Sequence, residues 1–88
     1  MQIELTRKFQ KQVENCHDKD IKSKVYEIIR SVMKTESMIR FHNLKKLTGY
    51  KYSYRIKQGD YRIGLLIKDK TVVFAAFDHR SDIYKYFP

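Results

Sequence analysis

The chain contains 88 residues, of which 42% are apolar, and it carries a formal net charge of +9. This apolar content argues against an intrinsically disordered chain, and the length predicts a single domain over residues 1–88. No apolar run reaches the roughly 18 residues that a membrane span needs, so we expect no association with a membrane.

The cysteine and histidine content gives little sign of redox or metal chemistry. Cys16 is the single cysteine, and residues 1–8 lack the apolar region of a signal peptide, so we expect a reducing, cytoplasmic location. Because His17, His42 and His79 show no metal-ligand spacing, we expect neither a metal nor another cofactor. The strong positive charge instead favours a polyanion or an acidic protein as the partner.

The first residues predict a strand followed by a helix. Gln2–Leu5 is short and apolar at alternate positions, and Thr6 is a suitable N-cap for a helix that begins at Arg7. Apolar residues then recur at helical spacing: Phe9, Val13 and Cys16. This stripe favours a packing role for Cys16 over a role as a nucleophile.

A longer helix is predicted to open at Asp18 or Asp20 and to run to about Lys34. Its apolar positions follow the helical template: Ile21, Val25, Ile28, Ile29, Val32 and Met33. Charged residues occupy the opposite face, which we expect to be solvated. Thr35–Asn43 has no clear period and is predicted to be a loop with at most one helical turn.

The stretch Tyr50–Lys68 predicts a β-hairpin, since two runs rich in Tyr, Ile and Leu flank a turn at Gln58-Gly59. Gly49 is expected to end the preceding loop in a tight conformation. Alternation along the strands places most apolar side chains on one face of the hairpin.

The other face of the hairpin is cationic. A two-residue turn at Gln58-Gly59 sets Arg55 opposite Arg62, with Lys57 on the same face. Like charges directly opposite one another destabilise an antiparallel pair. The cluster is therefore either a solvated face with splayed arginines or an anion site, most simply one for phosphate.

A third strand is predicted to follow a turn at Asp69-Lys70. Its pairs would be Ile67 with Val72, Leu65 with Phe74, Ile63 with Ala76, and Gly64 with Ala75. In this register Phe77 lies opposite Arg62, where it would stack a nucleic-acid base or simply pack.

The predicted element order is a strand, two helices, three antiparallel strands and a tail in which Ser81 or Asp82 caps a short helix. This order indicates an α+β fold with the helices on one face of the sheet. The other face would be open and cationic.

Three stretches of the chain resemble the RelE/ParE superfamily of toxin–antitoxin toxins. They are Leu47–Tyr50 (LTGY), Tyr54–Ile63 (YRIKQGDYRI) and His79–Tyr84 (HRSDIY). The resemblance extends over essentially the whole chain and implies a microbial-RNase-like fold. For the RelE branch it implies a ribosome-dependent mRNA endoribonuclease that a cognate, acidic antitoxin neutralises.

The resemblance also implies which residues act. The candidate catalytic residues that it implies are Arg55, Lys57, Arg62, Arg80 and Tyr84. We also take Lys46, Phe77 and His79 as candidate substrate-binding residues. Metal-free RNA cleavage uses the ribose 2′-OH as nucleophile, and it needs a base, donors to the phosphoryl oxygens and a proton source.

The chain contains candidate residues for each of these three catalytic roles. We expect Arg62 and Arg55 to stabilise the charge on the phosphate. Lys57 or Tyr84 would act as the base, because neighbouring positive charge favours the deprotonated form of such groups. Arg80 or His79 would assist the leaving oxygen.

Two other functions fit the same sequence. A ParE-like protein shares the fold but acts by binding DNA gyrase, and a degenerate module would bind its antitoxin without cleaving RNA. The pair His79-Arg80, together with Tyr84, favours the RNase branch.

Overall fold

Two helices pack against one face of a five-stranded sheet in the computed structural model, which describes all 88 residues, Met1–Pro88. The strands are β1 (Gln2–Leu5), β2 (Leu44–Lys46), β3 (Ser53–Gln58), β4 (Tyr61–Lys68) and β5 (Thr71–His79), and the helices are α1 (Arg7–Glu14) and α2 (Lys19–Lys34). The sheet order is β1-β5-β4-β3-β2, with β1 parallel to β5 and the other pairs antiparallel. The predicted α+β class is confirmed.

Side-chain caps explain where the helices begin. The Thr6 hydroxyl oxygen accepts a hydrogen bond from the backbone N–H of Phe9 at 3.1 Å. At the start of α2, Asp18 Oδ1 accepts the N–H groups of Asp20 and Ile21, both at 3.1 Å. These bonds satisfy donors that have no partner inside a helix, so both predicted starts are confirmed.

The main core lies between the two helices and the sheet. Its buried members are Phe9, Val13, Val25, Val32, Met38, Ile56, Ile63, Leu65, Val72, Phe74 and Phe77. Cys16 is half-buried just beyond the end of α1 and packs against this core, as its place in the apolar stripe predicts. A short 3-10 turn at Met38–Arg40 lies within the predicted loop.

The β3–β4 register differs from the predicted one by two residues. The turn is Gly59-Asp60, so that Lys57 lies opposite Arg62 and Arg55 lies opposite Gly64. Gly59 has φ +58°, a conformation that glycine adopts without strain at the first position of a two-residue turn. Because a shift by two residues preserves the faces of a strand, the three cations still share one face.

The run of tyrosines before β3 is not a strand. Tyr50 and Tyr52 are exposed in a loop, and β3 begins only at Ser53. Gly49 turns this loop with φ +86°. The loop joins β3 to β2, a three-residue strand that sequence analysis did not predict, because three residues are too short to show alternation.

A β-bulge in β5 corrects the predicted position of Phe77. Leu65 pairs with Phe74 as predicted, but Gly64 pairs with Ala76 and Ile63 with Phe77, so Ala75 is an extra residue. Asp78, and not Phe77, therefore lies opposite Arg62.

The C-terminal segment covers part of the sheet face that was expected to be open. Ile83 and Phe87 are buried against Ala76 in a second, small cluster. A Cβ atom at Gly64 would lie 2.7 Å from the Phe87 ring, so the glycine makes room for this ring. The cationic surface is thereby confined to one side of the face.

Candidate functional site

A cleft of about 720 Å³ lies where β2, β3, β4 and the C-terminal segment meet. Ten residues line it: Lys45, Lys46, Leu47, Thr48, Arg55, Arg62, His79, Arg80, Ser81 and Tyr84. Five of these are lysines or arginines and none is acidic. A concave surface lined by one sign of charge concentrates the field, so the cleft is suited to an anion.

Backbone carbonyl groups hold the two central arginines. Arg62 Nη1 donates to the carbonyl oxygens of Gly59 and Tyr61, each at 2.9 Å, and Arg55 Nη1 donates to Asn43 O at 2.8 Å. These acceptors fix the guanidinium groups without neutralising them. The remaining N–H groups can therefore donate to a phosphate with the full positive charge retained.

The β3–β4 turn also contacts Arg80. The backbone N–H of Arg80 donates to Asp60 O at 2.8 Å, and Arg80 Nε lies 3.8 Å from Asp60 Oδ1. Both side chains are well exposed, so the ion pair contributes little to stability and leaves Arg80 free to bind a stronger anion. One turn thus places both Arg62 and Arg80.

His79 closes the end of the cleft beside β4. Its Nδ1 accepts the backbone N–H of Ser81 at 3.1 Å and lies 2.8 Å from Ser81 Oγ, so the neutral ring carries its hydrogen on Nε2. The ring packs edge-on against Tyr61, with centroids 5.7 Å apart. Burial raises the pKa of Tyr61, which therefore remains a neutral packing surface.

A hydrogen-bonded chain anchors the segment that carries Tyr84. The Tyr86 hydroxyl donates to Asp78 Oδ2 at 3.0 Å and accepts from the Gln12 side chain of α1. Burial raises the pKa of Tyr86 to about 12, with a further rise from Asp78 and an opposing effect of Gln12. Tyr84 itself is 49% exposed at the cleft, on a 3-10 turn over Ile83–Lys85.

Comparison with known proteins identifies the family. Residues 3–84 match the family model of the ParE toxin of the type II toxin–antitoxin system, parDE. The chain belongs to the RelE/ParE superfamily of toxins. The resemblance noted in the sequence is therefore confirmed.

Relatives within the superfamily place the chain near RelE. It is 46% identical to Toxin RelE3 of Methanocaldococcus jannaschii over 46 residues, which are about half of each protein, 52% in both cases. It matches a chain of the RelB–RelE antitoxin–toxin complex from Methanococcus jannaschii with a TM-score of 0.84 and 30% identity, over 97% of this chain and 99% of that one. The DinJ–YafQ complex of E. coli shares the fold, with a TM-score of 0.72 at 17% identity, over 93% of this chain and 96% of that one.

The structure brings most of the RelE-type candidates together. Arg55, Arg62, Arg80, Tyr84 and His79 all line the cleft. Lys57 lies directly opposite Arg62 on the same sheet face but is not part of the lining.

One candidate substrate-binding residue, Phe77, is placed differently from expectation. Phe77 is buried in the main core, and its ring stacks on Tyr61 with centroids 5.1 Å apart, so it offers no face to a base. Lys46 lines the cleft; it pairs with Tyr54, and its ammonium group donates to the Tyr50 carbonyl.

Lys45 and Ser81 also line the cleft but were not among the residues predicted from the sequence. Lys45 lies on the unpredicted strand β2, and nothing in the sequence indicated that its side chain points to a different face from that of Lys46. The fold gathers no set of three or more His, Cys, Asp or Glu side chains that could hold a metal ion. Neither helix has the length and apolar character needed to cross a membrane.

Proposed function

We propose that this chain is a RelE-type toxin that cleaves mRNA on the ribosome and thereby stops translation. The observation that carries the proposal is the cleft itself, where five lysines and arginines from three strands and the C-terminal segment converge with no acid among them. A ribonucleotide backbone is the polyanion that such a cleft fits best, because arginine forks match phosphate oxygens.

The proposed reaction is a transesterification. The ribose 2′ oxygen attacks the adjacent phosphorus, a 2′-O–P bond forms, and the bond to the 5′ oxygen breaks. The products are a 2′,3′-cyclic phosphate and a 5′-hydroxyl. The 2′ hydroxyl must lose a proton and the 5′ oxygen must gain one, while extra negative charge develops on the phosphoryl oxygens.

Arg62 and Arg55 are assigned to the developing charge, since their guanidinium groups are fixed before substrate arrives. Tyr84 is assigned as the base, taking the 2′-OH proton as a phenolate, because it lines the cleft. Lys57 stands outside the lining and is the alternative base. Arg80 stabilises the leaving oxygen by its charge, and the imidazolium form of His79 donates a proton to that oxygen and becomes neutral.

An antitoxin is the proposed protein partner. The relative from Methanococcus jannaschii was solved as a RelB–RelE antitoxin–toxin complex. An acidic antitoxin segment that enters the cationic cleft would exclude RNA by charge and by volume, and this would neutralise the toxin. We expect the gene to be accompanied by one for such a protein.

Induced expression in cells tests the cleavage proposal. Primer extension on abundant mRNAs should reveal new 5′ ends within coding regions soon after induction of the wild-type chain, and none after induction of Arg62→Ala at the same protein level. Intact mRNA after wild-type induction, or undiminished cleavage by a folded Arg62→Ala protein, would contradict the assignment.

A ParE-like action on DNA gyrase is the second candidate, since the matching family model is that of the ParE toxin. It predicts DNA damage with intact mRNA after induction. The RelE-like proposal predicts early loss of protein synthesis, so the two are separated by measuring both in one culture.

A further inference from the structure

Strand β2 directs its two lysines to opposite faces of the sheet. Lys45 lies directly opposite Arg55, and Lys46 lies opposite Tyr54. Residues directly opposite one another in a sheet share a face, so Lys45 belongs to the cationic face and Lys46 to the core face. Lys46 donates to the Tyr50 carbonyl, whereas the exposed ammonium group of Lys45 has no hydrogen bond or ion pair within the chain.

Lys45 occupies one end of the cleft, beside Arg55 and two strands away from Arg62. Arg62 is on β4, and β3 separates β4 from β2. Because neighbouring strands are about 4.8 Å apart, β2 and β4 are separated by roughly 10 Å, which exceeds the extent of one phosphate group. Arg55 on β3 lies between Lys45 and Arg62, so it can contact a phosphate at Arg62 and a neighbouring phosphate at Lys45.

The pairing of Lys45 with Arg55 has a cost that a ligand would remove. Two like charges directly opposite in an antiparallel pair repel one another, and no acidic residue lines this part of the cleft. An anion between Lys45 and Arg55 would convert the repulsion into two attractive contacts. The position between Lys45 and Arg55 is suited to a second phosphate of the same RNA strand.

We propose that Lys45 binds the phosphate next to the scissile one, so that the cleft engages at least two consecutive phosphates of an RNA strand. This proposal rests on the proposed function and deepens it, because it makes the substrate a polynucleotide and not a single nucleotide. Lys45 contributes to binding the strand, while Arg62 acts on the scissile phosphate.

Equilibrium binding of RNA tests the proposal without any cleavage. The probe is a hexanucleotide with 2′-O-methyl groups throughout, which removes the nucleophile, titrated at several salt concentrations. Lys45→Ala should weaken binding roughly threefold to fivefold. It should also reduce the slope of log affinity against log salt by about 0.7, the value for one phosphate contact on a single strand.

Two further variants supply the comparison. Lys24→Ala on α2 makes the same charge change at an exposed lysine outside the cleft and should leave both affinity and slope nearly unchanged. Lys46→Ala should weaken binding less than Lys45→Ala does. A Lys45→Ala protein that binds as Lys24→Ala does, or a wild-type protein that does not bind the hexanucleotide, would overturn the proposal.

The binding experiment on Lys45 and the test of mRNA cleavage can fail independently of each other. A specific loss of affinity in Lys45→Ala, together with intact mRNA in cells, would support the two-phosphate site and refute cleavage. New mRNA 5′ ends in cells, together with a Lys45→Ala protein that binds normally, would support cleavage and refute the role of Lys45.

Discussion

Arg62 shows how a single residue is prepared for an anion. Its Nη1 donates to two neutral carbonyl groups, those of Gly59 and Tyr61, so the guanidinium group is held in place while its charge is retained. A lysine could supply the charge but not the planar fork, which binds the turn and a phosphate together.

Arg62→Lys should therefore lower the cleavage rate by about tenfold or more, although the net charge is unchanged. The rate would be measured on mRNA in a purified translation system. Arg30→Lys on α2, an exposed position outside the cleft, serves as the matched control. Equal rates for Arg62→Lys and the wild type would show that charge alone suffices.

Tyr86 gives a prediction on pH. Its pKa in the fold, about 12, lies above the usual value of 10.0, so the fold favours the neutral phenol. The stabilisation is complete below pH 10 and is lost as the pH rises toward 12. Thermal melts should show a steeper fall in Tm for the wild type than for Tyr86→Phe across this range. Parallel curves of Tm against pH for the two proteins would show that Tyr86 is not the source of this loss of stability.

At the scale of elements, the cationic face carries pairs of like-charged side chains on adjacent strands, and these charges repel one another. Lys45 lies opposite Arg55, and Lys57 lies opposite Arg62. Such pairs destabilise a sheet, and their presence is consistent with a surface kept for ligand binding at some cost in stability.

Lys57→Gln should therefore stabilise the protein by about 0.5 kcal/mol, because it removes one repulsive cross-strand pair. Urea unfolding at low salt would measure the effect, which added salt should diminish. Lys24→Gln controls for the change in net charge. A Lys57→Gln protein no more stable than Lys24→Gln would contradict the account.

The contact between Gly64 and Phe87 links β4 to the C-terminal segment. A methyl group at residue 64 would meet the ring at 2.7 Å, so Gly64→Ala should displace the segment that carries Tyr84. We expect a loss of about 1–3 kcal/mol in the free energy of unfolding, with reduced cleavage. Adding Phe87→Leu should restore part of both. A fully active Gly64→Ala protein would show that this contact does not position Tyr84.

Across the whole molecule, local signals predicted more than long-range ones. Both helix starts followed from Thr6 and Asp18, whose caps act within three residues. The bulge at Ala75 could not be predicted, because it depends on how β5 pairs with both β1 and β4. That single extra residue moved Phe77 from the expected site into the core.

The candidate site shows the same difference between local signals, which were predictive, and long-range ones, which were not. Arg55 and Arg62 were placed on one face because alternation survives a two-residue error in register. Lys45 was missed because β2 is defined by its partner strand and not by a pattern of its own. The distinction between Lys45 and Lys46 therefore required the three-dimensional pairing.

The most direct test of the whole account is the chemistry of the RNA ends. mRNA would be incubated in a purified translation system with the wild-type protein or with Arg62→Ala, and the fragment ends identified. The account predicts 5′-hydroxyl ends and 2′,3′-cyclic phosphates with the wild type, and intact mRNA with Arg62→Ala. Intact mRNA with the wild type, or fragments with 5′-phosphates, would contradict attack by the 2′-OH in this cleft.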